Sequence, residues 1–176
     1  MIAGVVLAAG EASRFGSAKQ LLLLPAVLSR ARAATALGEL VVVAGAYELE
    51  ADAHVVHCAR WADGPGASLR CGLAALEPAV EAAVVLLADG PELSPEAIDR
   101  VAARWRETNA PVIAASYGGA RGHPVLLARA AWARIPAEGA RALDPLLVPC
   151  DDLGPPGDVN VPADLPAGLR AGGAEQ

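Results

Sequence analysis

The first 20 residues, MIAGVVLAAGEASRFGSAKQ, constrain this chain more than any other stretch. An apolar run from Ile2 to Leu7 stops at Ala8-Ala9-Gly10, and a loop of small residues then leads to a second apolar run. A buried strand, a glycine loop and a helix start, in that order, form an anion-binding site, because backbone N–H groups of the loop and helix terminus point at the anion. The stretch therefore predicts a phosphate site directly after the first strand.

Two basic residues of this stretch sharpen the prediction. Of the 14 Lys and Arg residues, Lys19 is the one lysine, and Arg14 lies in the loop before it. A lysine ammonium acts on phosphates as a compact point charge, whereas a guanidinium acts through a planar fork. A surface lysine kept by chance is the alternative interpretation.

Length, composition and charge narrow the class of protein. The 176 residues predict a single domain, which we place at 1–170, followed by a short flexible tail at 171–176. Hydrophobic residues make up 54 % of the chain, but no apolar run approaches the roughly 20 residues that span a bilayer. A net charge of −6 and an aromatic content of 3 % argue against nucleic-acid binding. We expect neither a membrane nor a nucleic acid as a partner.

The cysteine pattern and the N-terminal sequence indicate the cellular compartment to expect. The three cysteines, Cys58, Cys71 and Cys150, are odd in number and widely spaced. That pattern favours free, buried thiols in a reducing cytoplasm over a disulfide framework. No basic segment precedes the first apolar run, so a signal peptide is not expected.

Apolar strands alternate with helical segments along the chain. Alternation of this kind predicts an α/β fold with a largely parallel sheet. Pro25 is expected in a first turn, so that the first helix proper begins near Ala26 and is closed by Gly38. We expect strands at 2–8, 40–44, 54–58, 82–88, 111–115, 122–127 and 148–151, and helices at 19–37, 67–76, 94–108, 128–135 and 139–147.

Asp89 follows the apolar strand expected at 82–88. Ligands of parallel sheets bind at the carboxyl ends of the strands, where the first strand also ends in Gly10. A carboxylate there can hold Mg²⁺ through one or two oxygens. Taken alone, Asp89-Gly90-Pro91 is more often a simple turn.

The spacing of the first loop excludes the two common phosphate motifs. A Walker A motif has four residues between its first glycine and its Gly-Lys pair, whereas five separate Gly10 from Gly16. A Rossmann motif needs a second glycine where Ala12 stands. The stretch L-A-A-G-x-x-S-R-F-G-x-x-K resembles the signature of the MobA-like nucleotidyltransferases, L-A-[AG]-G-x-S-x-R-[FM]-G-x-x-K, with Ser13 one place later than usual.

This resemblance implies a fold and a nucleotide site. The fold is a three-layer α/β/α Rossmann-like nucleotidyltransferase fold with a mostly parallel sheet. The implied catalytic residues are Arg14, Lys19 and Asp89. The implied nucleotide-binding residues are Leu7, Ala8, Ala9, Gly10, Arg14, Gly16, Lys19 and Ser68, the last in a G-x-x-x-S-L stretch. For Ser68, helix capping is an equally good interpretation.

The resemblance also implies a metal site and an acceptor site. Asp89 stands in the family's Gly-Asp-x-Pro metal motif, with Ala88 in place of the glycine. Asp158 and Asn160 match the polar residues of the late D-I-[DN]-T-P-E-D-L segment, so Mg²⁺ is the implied cofactor. Arg121 and His123 match an R-G-H-P-V-L motif of the cytidylyltransferase branch and are expected to bind the acceptor. A structural histidine is the alternative for His123.

The expected function follows from these matches. It is Mg²⁺-dependent transfer of a nucleoside monophosphate from an NTP to a phosphorylated pterin of molybdopterin type, with release of pyrophosphate. The segments Leu7–Gly10 and Lys19–Leu22 favour CTP over GTP within the family. An apo-molybdoenzyme is a further expected partner. Two alternatives stay open: a non-catalytic carrier that delivers a nucleotide-cofactor, and a transferase for a sugar phosphate or phospholactate.

Overall fold

A computed structural model describes residues 1–11, 19–159 and 162–167 of the chain. In these ranges the strands are β1 Ile2–Leu7, β2 Leu37–Ala44, β3 His54–His57, β4 Ala82–Leu87, β5 Val112–Tyr117, β6 Ala120–Ala128 and β7 Leu146–Pro149. The α-helices are α1 Lys19–Ala33, α2 Pro65–Ala74 and α3 Pro95–Thr108. Short 3-10 helices occupy Trp61–Asp63, Arg129–Arg134, Gly139–Ala142, Asp151–Leu153 and Pro162–Asp164.

The strands form one mixed sheet in the order β3-β2-β1-β4-β6-β5-β7. Strand β1 pairs in parallel with both β2 and β4, and β2 pairs in parallel with β3. Strand β6 runs antiparallel to β4 and β5, and β7 returns parallel to β5. The carboxyl ends of β1, β2 and β4 therefore meet at one edge, which is where open α/β sheets bind ligands.

The sheet is apolar on both faces, and helices cover each face. Successive side chains of a strand point to opposite faces, and in β1 Val6 joins the core beneath α1 and α3 while Val5 joins the core beneath α2. Both valines have 0 % of their surface exposed. The continuous apolar runs of β1 and β4 follow from this burial on two sides. The three-layer α/β/α architecture with a mostly parallel sheet is confirmed.

The first helix starts where the predicted range 19–37 starts, rather than only near Ala26, but it ends earlier than predicted. It begins by Lys19 and ends at Ala33, with Pro25 inside it, and Gly38 belongs to β2. Proline removes a helical hydrogen bond, but an amphipathic helix draws most of its stability from packing. Leu24 and Val27, on either side of Pro25, are buried. Their packing holds the helix together across the proline.

Two predicted helices after β6 are wrong in type or extent. The segment expected at 128–135 is a 3-10 helix over Arg129–Arg134. The segment expected at 139–147 has only a 3-10 turn at Gly139–Ala142, and its end forms β7, which extends beside β5. The alanine-rich composition favours an α-helix locally, but segments this short are not stable as α-helices through local propensity alone.

The prediction of three free thiols is also wrong. Cys58 and Cys71 form a disulfide with their Cα atoms 5.9 Å apart, and Cys150 is a buried free thiol. Spacing along the chain did not indicate this pair, because the end of β3 and the second turn of α2 are brought together only by packing. The argument for a reducing compartment from cysteine spacing therefore does not hold. Within the described ranges, no helix combines the length and apolar character needed to cross a membrane.

Candidate active site

The end of β1 is tied to its two neighbouring strands by backbone hydrogen bonds. The amide of Ala8 donates to Val43 O over 3.0 Å, and the amide of Ala88 donates to Leu7 O over 3.1 Å. Ala8 is buried, whereas Gly10 is exposed. A Cβ added to Gly10 would have no atom of the described residues within 4 Å. The described residues thus leave space at the end of the first strand, where the sequence predicts a phosphate.

The rest of the predicted phosphate loop is only partly described. Lys19 is the first residue of α1, so a helix begins after the loop as expected. Arg14 and Gly16 lie outside the described residues, as do Asn160 and the predicted tail at 171–176. Their predicted roles stay predictions.

Asp89 and Asp158 are brought together across about 70 residues of chain. The amide of Val159 donates to Asp89 O over 3.2 Å, and the amide of Glu92 donates to Pro156 O over 2.8 Å. These bonds fasten the late segment across the turn that follows β4. Both aspartates line a cavity of about 280 Å³.

His123 lines the same cavity from β6, the antiparallel neighbour of β4. Burial lowers the pKa of His123 to about 4; Arg121 also lowers it, while Asp89 and Asp158 act in the opposite direction. The imidazole is therefore neutral near pH 7 and can act as a hydrogen-bonding group but not as a cation. The hydroxyl of Tyr117 donates to His123 O over 2.9 Å and helps to hold this part of β6.

Arg121 makes a set of contacts that the sequence did not indicate. Its guanidinium donates to the carbonyl oxygens of Ala140, Arg141 and Leu143 over 2.7, 3.0 and 2.5 Å. These bonds hold the 3-10 turn at Gly139–Ala142 and the residue after it against β6. Arg121 thereby anchors this turn to β6, and, unlike His123, it is not a lining residue of the smaller cavity.

A larger cavity, of about 440 Å³, lies on the other side of Asp89. Its walls are the end of β1 from Leu7 to Glu11, the segment before and within α2, and the end of β4. Ser68 lines it and is buried, with 6 % of its surface exposed. The N-cap of α2 is Gly64 and involves no side-chain hydrogen bond. The capping alternative for Ser68 is therefore excluded.

The turn that presents Ser68 requires its glycines. Gly64 has a φ of +111°, a conformation that side chains disfavour. A Cβ on Gly66 would lie 2.0 Å from Pro136 O, and the amide of Gly66 donates to Ala137 O over 2.9 Å. This close backbone packing fixes the start of α2 at the cavity wall.

Asp89 is a lining residue of both cavities, together with Leu87. It follows the β-strand next to β1, so it lies at the junction between the smaller cavity, with Asp158 and His123, and the larger one, with Gly10 and Ser68. A group bound in one cavity would thus meet a group bound in the other beside this carboxylate.

The donor set beside Asp89 fits a magnesium ion. Within the described ranges, no group of three or more His, Cys, Asp and Glu side chains could hold a metal by itself. Mg²⁺ is commonly held by one or two carboxylates, with waters and substrate phosphates completing its shell. Asp89 and Asp158, two oxygen donors in one open cavity, match that requirement, whereas a site closed by protein ligands alone does not form here.

Trp61 is a site residue that sequence reasoning missed. It lies in the larger cavity, and among the described residues it is the only aromatic in the lining. Trp61 precedes the Gly64-Pro65 pair, a pattern typical of a turn, and a turn pattern does not indicate where an indole points. Its position three residues before Gly64 was the available signal.

Several solved structures are similar to this fold. The Rv0371c homologue from Mycobacterium sp. strain JC1 is 26 % identical, covering 97 % of this chain and 96 % of that chain, with a TM-score of 0.78. Rv0371c from Mycobacterium tuberculosis H37Rv, in a complex with manganese, is 24 % identical over 84 % and 88 % of the two chains, with a TM-score of 0.60.

A more distant structure is molybdopterin-guanine dinucleotide biosynthesis protein A from Archaeoglobus fulgidus. It is 15 % identical, covering 97 % of this chain and 95 % of that chain, with a TM-score of 0.65, and it shares the fold. No curated protein matches the sequence significantly. The model of the MobA-like NTP transferase domain matches residues 4–147, most of the chain. The chain therefore belongs to the MobA-like NTP transferase family.

Proposed function

We propose that this protein transfers a nucleoside monophosphate, preferably CMP from CTP, to a phosphorylated pterin of molybdopterin type and releases pyrophosphate. The observation that carries the proposal is the position of Asp89 at the junction of two cavities. A transferase without a covalent intermediate must hold both substrates at once, and two cavities that meet at a carboxylate provide for this.

The larger cavity is proposed to bind the nucleotide. The open space above Gly10 would accommodate the phosphates, and Ser68 would contact the nucleoside. Arg14 and Lys19 would neutralise charge on the triphosphate and on the leaving pyrophosphate. The backbone of Leu7 and the small residues Ala8, Ala9 and Gly16 would complete the nucleotide site.

The smaller cavity is proposed to bind the acceptor. His123 would contact the pterin as a neutral hydrogen-bonding group, and Arg121, two residues before it in β6, is proposed to approach the acceptor from the same strand. In the transfer, an acceptor phosphate oxygen attacks the α-phosphorus in line; the new P–O bond forms as the bond to pyrophosphate breaks. Holding both reactants in this geometry is the main contribution of the chain to the rate.

Mg²⁺ is the proposed cofactor, held by Asp89 and Asp158, and Asn160 stays a further predicted ligand. When bound there it would supply positive charge to the phosphates of both substrates. The manganese in the structure of Rv0371c supports a divalent metal in this family branch. The name of the Archaeoglobus fulgidus protein supports a molybdopterin-type acceptor. Because the reaction consumes an NTP and serves a cofactor, we propose a cytoplasmic location and an apo-molybdoenzyme as a partner.

The test is pyrophosphate release from CTP, GTP, ATP and UTP, each with and without molybdopterin and with Mg²⁺ present. Release from CTP only when molybdopterin is added is the expected result. Tight CTP binding without release would favour the carrier function, and release with a sugar phosphate or phospholactate instead of the pterin would reassign the acceptor. A chelator should abolish release, and added Mg²⁺ should restore it.

A further inference from the structure

The indole of Trp61 lies at the opposite end of the larger cavity from Asp89. Trp61 packs against Gly45, directly after β2, while Asp89 follows β4. Since β1 lies between β2 and β4 in the sheet, two strand spacings, roughly 10 Å, separate these ends. The cavity thus has an aromatic end and a carboxylate end, with Gly10 between them.

The packing around Trp61 holds the indole in place before any ligand binds. A Cβ on Gly45 would lie 2.6 Å from Trp61 Cβ and 2.6 Å from Ala9 O, so no side chain fits between them. Trp61 also packs on the core cluster beneath α2, yet it is only partly buried. One part of the side chain is therefore anchored in the protein, and another part borders the cavity.

The segment that carries Trp61 is fixed at both of its ends. The amide of Cys58 donates to Ala44 O over 2.8 Å, and the Cys58–Cys71 disulfide closes the segment against α2. The amide of Gly64 donates to Trp61 O over 3.2 Å, which tightens the turn that leads to Ser68. An aromatic surface held this rigidly loses little conformational freedom on binding.

From this arrangement we infer that Trp61 stacks on the base of the nucleotide, an inference that rests on the proposed function. The base points toward β2 and β3, and the triphosphate crosses the end of β1 toward Asp89. The apolar neighbours of the indole in the cavity, Ala62 and Pro65, suit a flat heterocycle better than a phosphate. Aromatic stacking accepts any base, because every base has a π-face. Trp61 therefore contributes affinity to all nucleotides alike, and the preference for one base comes from other contacts.

Tryptophan fluorescence tests the inference directly. The chain has three tryptophans, and a Trp105→Phe/Trp132→Phe variant leaves Trp61 as the sole emitter. Titration with CTP should quench its emission to a saturating level, and GTP should do the same. Inorganic tripolyphosphate, which has no base, should bind without quenching. The matched control is Trp61→Phe, which retains the other two tryptophans and should show no quenching with any of these ligands.

Binding measurements separate this inference from the proposed function. Trp61→Ala should bind CTP and GTP about ten-fold more weakly or worse, and tripolyphosphate as tightly as the unmodified protein. Trp61→Phe, which keeps an aromatic ring, should retain most of the affinity. Tight CTP binding that neither quenches Trp61 nor weakens in Trp61→Ala overturns the stacking inference and leaves the proposed function standing.

Failure of the unmodified protein to bind any NTP overturns the proposed function, and the stacking inference with it. If Trp61→Ala does not fold because its contact with Gly45 is lost, the fluorescence titration of the unmutated Trp61 and the Trp61→Phe affinities still decide the question.

Discussion

The amide of Val159 donates a hydrogen bond to the carbonyl oxygen of Asp89, and this bond of 3.2 Å sets Asp158 beside the end of β4. Two carboxylates distant in sequence thereby line one cavity. Because this bond joins backbone atoms, either aspartate side chain can be replaced without removing the bond.

Asp89→Asn and Asp158→Asn should each lower the rate of pyrophosphate release about 100-fold or more while the fold stays intact. The reason is the loss of one preorganised charge at the reacting phosphates. Steady-state rates at several Mg²⁺ concentrations, with circular dichroism to check the fold, measure the effect. The matched control is Asp52→Asn, at a fully exposed aspartate, which should leave the rate unchanged. Normal turnover in a folded Asp89→Asn protein would refute the metal assignment.

Gly10→Ala and Gly66→Ala should separate ligand binding from stability. A Cβ on Gly10 meets no atom of the described part of the chain within 4 Å, so Gly10→Ala should keep its stability and bind CTP more weakly by filling space for phosphate. A Cβ on Gly66 would lie 2.0 Å from Pro136 O, and overpacking of this kind lowers the free energy of unfolding by about 1–3 kcal/mol. Urea unfolding and CTP titration of both variants check this pair of outcomes, and equal CTP affinity in Gly10→Ala and the unmodified protein would contradict it.

His123 should make the protein less stable in mild acid. Its pKa is about 4 in the native state and near 6.5 when unfolded, so between these values the unfolded chain binds a proton that the native protein excludes. The free energy of unfolding should thus fall as the pH drops from about 6.5 toward 4, by about 2–3 kcal/mol from this residue at pH 4.5.

His123→Gln provides the comparison, since it removes this titration and leaves the other groups in place. Urea unfolding at pH 7.5 and pH 4.5 should show a smaller acid-induced loss in the variant than in the unmodified protein. If both proteins lose the same free energy of unfolding between pH 7.5 and pH 4.5, the pKa of His123 is not lowered in the native state.

Two measurements test the Cys58–Cys71 disulfide: the number of reactive thiols and the free energy of unfolding. Unfolded, unreduced protein should expose one reactive thiol, that of Cys150, and reduced protein should expose three. A bridge that spans 13 residues stabilises the native state by about 3 kcal/mol in the chain-entropy model. Cys58→Ala/Cys71→Ala should be less stable by about that amount under oxidising conditions and should approach the unmodified protein when both are reduced. Three reactive thiols without reduction would rule the bridge out.

The sequence by itself determined the central strands of the sheet and the edge at which their carboxyl ends meet. The apolar runs of β1 and β4 predict strands buried on both faces, and parallel strands bring Gly10 and Asp89 to the same edge. These predictions succeeded because a continuous run of apolar residues is a local feature of the sequence, and such a run is typical of a strand buried on both faces. The family resemblance added Asp158 and His123, which the structure brings to one cavity with Asp89.

Tertiary packing alone decided the remaining features. It let α1 continue through Pro25, paired Cys58 with Cys71, brought Arg121 to backbone carbonyls, and placed Trp61 against Gly45 in the larger cavity. None of these follows from a local pattern, since each depends on the distance between segments far apart in the chain. That distance is set by the way helices pack on a sheet, where contact energy between remote residues overrides local preference.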